Sequence, residues 1–221
     1  MPNFFPRWTN TLPLKLAICL GFTGMFVTAG VWAYFTPKYT RVGYEPPQPI
    51  PFSHKIHAGQ LGLDCRYCHS FVEEGGHSNV PSSSTCWNCH QHVKKGSPKL
   101  EPLYRSIDPN FEGYDGKAIP WVRVHKLPDY VYFDHSTHVN RGVSCVSCHG
   151  QVDEMDVVSH QEPLSMGWCL DCHRNPEQHL RPLEEVFNLS WKPEGNQEEL
   201  GEQLKDQWNV NPPEHCGACH R

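Results

Sequence analysis

Cys65-Arg66-Tyr67-Cys68-His69 is the first of five stretches of the form Cys-x-x-Cys-His, and their reading decides the fold. The others are Cys86-Trp87-Asn88-Cys89-His90, Cys145-Val146-Ser147-Cys148-His149, Cys169-Leu170-Asp171-Cys172-His173 and Cys216-Gly217-Ala218-Cys219-His220. Together they use ten of the eleven cysteines and leave Cys19. Residues three apart on a helical turn share a face, so two thiols can reach the two vinyl groups of one porphyrin. The His that follows is placed to give its imidazole to the iron. Each stretch therefore reads as the attachment site of one c-type haem. The expectation is five c-type haems, with Cys65, Cys68, Cys86, Cys89, Cys145, Cys148, Cys169, Cys172, Cys216 and Cys219 as covalent links. His69, His90, His149, His173 and His220 are the expected proximal iron ligands.

Two other uses of paired cysteines are weaker. Zinc takes cysteines in groups of four and needs no His after every pair. A disulfide between cysteines three apart closes too small a loop to constrain the unfolded chain much. Ten of the fifteen histidines also lie outside the motifs, a surplus that suits six-coordinate iron.

Composition agrees with a cofactor-filled interior. Gly and Pro are frequent, at 17 and 20 residues, and only 38% of the chain is hydrophobic. Regular structure should be sparse, with porphyrin faces serving as core and the polypeptide wrapping them. Without haem such a chain should not fold. The fold expected is a multihaem cytochrome c: mostly short α-helices and loops around five haems, little β, and one N-terminal transmembrane helix. A formal charge of −5 argues against a nucleic-acid partner.

Along the chain, residues 1–12 read as a polar leader on the cytoplasmic side. Residues 13–36 read as a transmembrane anchor, since Leu16 to Phe35 carries no charge and a helix of that length spans about 30 Å. Pro13 suits a helix start. Lys15 can snorkel at one interface, with Trp32, Tyr34 and Tyr39 at the other. Gly21, Gly24 and Gly30, with Ala17 and Ala29, make a small-residue face. A cleaved signal peptide is the alternative, but its apolar stretch would be shorter, and Thr28-Ala29-Gly30 is the nearest thing to a cleavage site. Cys19, in mid-span, reads as a small apolar residue. Charges flanking the span nearly balance, so they do not orient it. Covalent haem attachment occurs outside the cytoplasmic membrane, which puts the rest in the periplasm: a single-pass protein of the bacterial inner membrane. Residues 37–51 form a stiff Pro-rich linker. The haem domain, 52–221, divides into a first haem pair (52–95), a connector (96–132), a second haem pair (133–180), and a helix with the fifth haem (181–221). Within the last part Leu200, Leu204 and Trp208 make an apolar stripe on an acidic helix from about Asn196 to Trp208, expected to pack on the haem domain.

An internal repeat underlies this division. Phe52-Ser53-His54-Lys55-Ile56-His57 precedes Cys65, and Phe133-Asp134-His135-Ser136-Thr137-His138 precedes Cys145. Each is Phe-x-His-x-x-His followed by two haem motifs, which reads as a duplicated haem pair. Two His pairs at helical spacing, placed alike before haem motifs, are candidate iron ligands.

Phe-x-His-x-x-His before Cys-x-x-Cys-His resembles the class III multihaem cytochromes of the c3 and c7 type. Over most of residues 52–180 the chain also resembles the pentahaem cytochrome c subunits of bacterial alternative complex III. The stretches that carry this likeness are Asp64–His69, Trp121–Phe133, Arg141–Gly150 and Pro163–Pro176. The first resemblance implies that His54 ligates the first haem, His57 the second, His135 the third and His138 the fourth. For the fifth it points to residues 150–168, where Met155 ranks ahead of His160, with His125 third; Met166, His77, His179 and His215 are further candidates. A Met ligand would raise that haem's potential. The second resemblance implies a membrane complex that oxidises quinol and passes electrons to a periplasmic cytochrome, a copper protein or an oxidase. The partners it implies are an iron–sulfur subunit, polytopic quinol-binding subunits and a monohaem cytochrome c.

No catalytic constellation is visible, and six-coordinate irons leave no position for a substrate, so electron transfer is the expected role. The competing readings are a stand-alone membrane quinol dehydrogenase feeding a periplasmic reductase, an enzyme of the pentahaem nitrite reductase type, and a haem-storage protein. The reductase class commonly marks its active haem with an unusual proximal ligand, whereas all five motifs here end in His.

Overall fold

The structure is a computed structural model that describes residues 5–35 and 41–221. The expected first residues of the leader, the end of the anchor and the start of the linker, with Lys38 and Tyr39, lie outside the described residues. The chain divides into two compact units, Met1–Arg41 and Val42–Arg221.

In the first unit a single turn, Arg7–Asn10, precedes helix α1, Leu12–Phe35. Its 24 residues make it about 36 Å long. It starts one residue before Pro13, where the missing N–H costs nothing. It is apolar all round and none of its residues is buried, which makes it long and apolar enough to cross a membrane.

The second unit is built from short helices and loops. They are α2 (Cys65–Cys68), α3 (Ser83–His90), α4 (Glu101–Ile107), α5 (His135–Val139), α6 (Val146–His149), α7 (Met166–Arg174), α8 (Gln197–Gln207) and α9 (Cys216–Cys219). A π-helical turn covers Lys55–Gln60. Among the described residues there is no β-strand, only isolated bridges pairing Val131 with His220 and Val143 with Leu180. The expected class, short helices and loops with little β and one N-terminal apolar helix, is the one observed.

Side-chain cores are small. Ile50, Leu100, Leu103 and Tyr104 form one cluster, joined by Trp87, Phe111 and Trp121. Val72, Val139 and Val186 form another, against Phe187. Clusters of this size bury too little apolar surface to hold a unit of this length alone.

The acidic helix expected near the C-terminus is α8. Asn196 caps it, its side chain accepting from the Glu198 N–H at 3.0 Å. Leu204 and Gly201 are buried, and the helix lies on the turn Pro176–Gln178. The contact is so close that a Cβ at Gly201 would overlap the Glu177 carbonyl. Lys205 also pairs with Glu177 at 3.2 Å. Gly142 is another place where glycine is required: its φ is +80°, and an added Cβ would meet the Trp208 ring at 2.7 Å.

Candidate haem-binding sites

Each motif occupies one helical turn. The His69, His149 and His220 amides donate to the carbonyls of Cys65, Cys145 and Cys216 at 2.8, 2.9 and 2.9 Å. This i to i+4 bond closes the turn and brings both cysteines to one face. Local caps start the first of these turns and the helix α7 that carries the fourth. Asp64 accepts from the Arg66 N–H at 2.8 Å while gripping its guanidinium at 2.9 and 2.7 Å. Ser165 accepts from the Trp168 N–H at 3.3 Å.

The two His pairs are held alike. In the first repeat the Phe52 ring stands edge-on to His54 at 4.9 Å and 90°, and stacks on His57 at 4.3 Å and 25°. In the second, Phe133 stands to His135 at 4.9 Å and 89°, and stacks on His138 at 4.5 Å and 28°. The repeat is therefore geometric as well as sequential. The phenyl ring fixes the splay of the two imidazoles, a role the sequence reading did not give it. The signal was available, since the Phe stands two residues before the first His in both copies.

Distances between the expected ligands can be compared with what one iron requires. A metal–imidazole bond of about 2.0 Å, with about 1.15 Å from nitrogen to ring centre, sets two rings on opposite sides of one metal roughly 6.3 Å apart. The ring centres of His57 and His90 are 6.1 Å apart, those of His135 and His149 6.4 Å, and those of His138 and His173 6.2 Å. For His54, burial lowers the pKa to about 4, with His69 and then His57 as the nearby charges.

Ring nitrogens are oriented in the same sense. Nδ1 of His57 and His138 lies 2.8 and 2.7 Å from the carbonyls of Ser53 and Asp134, one turn back in each repeat. Nδ1 of His69, His135, His173 and His90 lies 2.7, 2.8, 2.8 and 3.1 Å from the carbonyls of Asn79, Gly76, Pro213 and Val93. A carbonyl only accepts, so each Nδ1 carries the hydrogen, and the neutral ring presents its lone pair on Nε2. This is the usual backing of a metal-ligating His. Burial also lowers the pKa of His138 and, to about 3, of His149, which keeps these rings in the neutral form a metal needs.

No two of the cysteines are joined by a disulfide. Among the described residues no group of three or more His, Cys, Asp or Glu side chains is placed to hold a metal ion, as a tetrahedral zinc site would require. Burial pushes the thiols of Cys145, Cys148 and Cys172 up to about 11, 12 and 11, the reverse of what a reactive thiolate needs. Two cysteines and an imidazole at each motif, with backed imidazoles at the first four, match a thioether-linked porphyrin, whose own four nitrogens would complete the donor set.

The candidates for the fifth distal position lie in other surroundings. His160 is 1% exposed, its amide donating to the Tyr44 carbonyl at 3.0 Å. His125 stacks on it at 5.1 Å and meets His149 edge-on at 4.2 Å. Met155 follows the turn Val152–Glu154, and its carbonyl accepts from the Lys55 N–H at 3.0 Å. The ring packed with His220 is that of Tyr130, at 5.8 Å. Arg221 lies over Tyr132 at 3.9 Å, and the Tyr132 amide donates to the Cys219 carbonyl at 2.7 Å.

The family described as cytochrome c7 and related cytochrome c matches residues 131–221. A protein of Nitratidesulfovibrio vulgaris named menaquinone reductase, multiheme cytochrome c subunit, is 30% identical over 181 residues, 72% of this chain and 81% of that one. Cytochrome c-552 of Bacteroides fragilis is 28% identical over 193 residues, and that of Maridesulfovibrio salexigens 25% over 197. This chain spans 38% and 39% of those two longer proteins. With the backed histidines and the matched repeats, these likenesses place the chain in the multihaem c-type cytochrome family, with a c7-like domain over residues 131–221.

Proposed function

We propose that this chain is a membrane-anchored pentahaem cytochrome c that relays electrons within a quinol-oxidising respiratory complex of the alternative complex III type. Its acceptor is a periplasmic cytochrome, a copper protein or an oxidase. The observation that carries this reading is the spacing of three His pairs, at 6.1, 6.4 and 6.2 Å. A c-type haem held between two imidazoles supplies one-electron oxidation and reduction at iron with no open position for a substrate.

The residues of the chain have distinct parts in this. His69, His90, His149, His173 and His220 hold the proximal positions, and His54, His57, His135 and His138 the distal ones. Phe52 and Phe133 set the splay of each distal pair. The backbone carbonyls at Ser53, Gly76, Asn79, Val93, Asp134 and Pro213 keep Nε2 as the ligating atom. Helix α1 anchors the domain at the membrane, with residues from about 40 onward in the periplasm. An iron–sulfur subunit, polytopic quinol-binding subunits and a monohaem cytochrome c are the expected partners.

The relative named menaquinone reductase favours a second reading, in which the same sites deliver electrons to the quinone pool. Purification from native membranes in mild detergent, with partner chains identified by mass, tests the assembly. Menaquinol is then added to the oxidised complex, and a quinone to the reduced complex. Reduction of the haem α-band by menaquinol, with quinol-binding and iron–sulfur chains present, supports the first reading. Oxidation of that band by quinone alone supports the second. A solitary chain inert to both sinks the proposal.

A further inference from the structure

We infer that the five attachment segments form one unbranched row in the order second, first, third, fourth, fifth, so that Cys86–His90 and Cys216–His220 are its two ends. This rests on the reading of each motif as a haem site. It differs from the order of the motifs along the chain, which would put Cys65–His69 at an end and Cys86–His90 inside.

Each neighbour relation has its own contacts. The first and second segments share the His54/His57 turn, and the Asn88 side-chain amide donates to the Tyr67 hydroxyl at 3.0 Å. The first and third meet through the residues just after His69. The Gly76 carbonyl takes the amide of His135 at 3.4 Å and its Nδ1 at 2.8 Å, and the Ser136 amide donates to the Gly75 carbonyl at 3.2 Å. From the other side, Ser53 Oγ donates to Asp156 at 2.7 Å, and Lys55 N–H to the Met155 carbonyl at 3.0 Å, tying the first distal pair to the stretch after His149. The third and fourth share the turn of His135 and His138, whose rings lie 6.4 and 6.2 Å from His149 and His173. The fourth and fifth meet at Pro213 and Glu214, just before Cys216. His173 Nδ1 donates to the Pro213 carbonyl at 2.8 Å, and Arg174 pairs with Glu214 at 3.0 Å.

Exposure marks the ends independently. Among the motif cysteines only Cys89 and Cys216 are exposed, while the other eight are partly covered.

Charge on one site is felt most at its immediate neighbours, which makes the order measurable. The holoprotein is compared with Cys65→Ala/Cys68→Ala and Cys86→Ala/Cys89→Ala. A pyridine haemochrome count comes first: five in the parent and four in each variant. A parent count other than five overturns the underlying haem reading and is distinguishable from failure of the order. Spectroelectrochemical titration then counts how many remaining haems change midpoint potential. The row predicts that loss of the second site shifts one neighbour and loss of the first shifts two. The reverse result, or equal numbers, overturns it. If the Cys65→Ala/Cys68→Ala protein fails to accumulate, His54→Met and His57→Met keep all thioether links and raise one midpoint each. His54→Met should then disturb two further haems and His57→Met one; any other pattern rejects the order.

Discussion

At the scale of single residues, the phenyl rings of the repeat do most to place the candidate ligands. Phe133 touches both His135 and His138, and no other aromatic ring is packed with both among the described residues. It is half-buried, so Phe133→Ala should cost about 2 kcal/mol, below the 3–5 kcal/mol of a fully buried Phe. Its specific mark is spectroscopic. The low-spin ferric signals of two haems should broaden while the others keep their shape, as electron paramagnetic resonance would show. If all the haem signals change equally, the ring is only packing. The positions that hold Nδ1 are a different matter. Asn79, Val93 and Pro213 offer carbonyls from loops, and a backbone oxygen has no residue type to betray it. The candidate ligands were therefore legible in the sequence, because a haem site calls for a His there. Their supports were not, because any residue can supply a C=O.

At the scale of elements, the motif turns and α8 follow from local rules. Asn196 opens α8 as an N-cap, and Leu204 on its apolar stripe is buried as the spacing required. What the stripe could not show is how closely α8 approaches its seat. Gly201 stands between Leu200 and Glu202 with no pattern of its own, and only the path of the Pro176–Gln178 turn reveals why it lacks a side chain. Gly201→Ala would otherwise favour the helix by about 1 kcal/mol. Here its methyl must push against the Glu177 backbone, an overpacking cost of about 1–3 kcal/mol. Thermal unfolding of the holoprotein should therefore shift down in Gly201→Ala. A rise would mean that α8 is not seated on that turn. The N-terminal apolar helix was the most legible element, being a long run almost without charge. It is observed as Leu12–Phe35, where the expected anchor ran 13–36, with residue 36 outside the described residues.

At the scale of the whole molecule, the small apolar clusters leave stability to come from elsewhere. Expressed without the haem-attachment machinery, the polypeptide should show no protected amides in hydrogen exchange beyond α1, whereas the holoprotein should protect α3, α7 and α8. Protection in the haem-free chain would show that side chains suffice. The connection at Gly76 then has a consequence for how the molecule comes apart. That carbonyl belongs to the first repeat, yet it secures a ring of the second. Neither half can melt while the other persists, so calorimetry of the holoprotein should give one cooperative transition for residues 42–221 rather than two. Two copies of one sequence pattern would then behave as a single thermodynamic object.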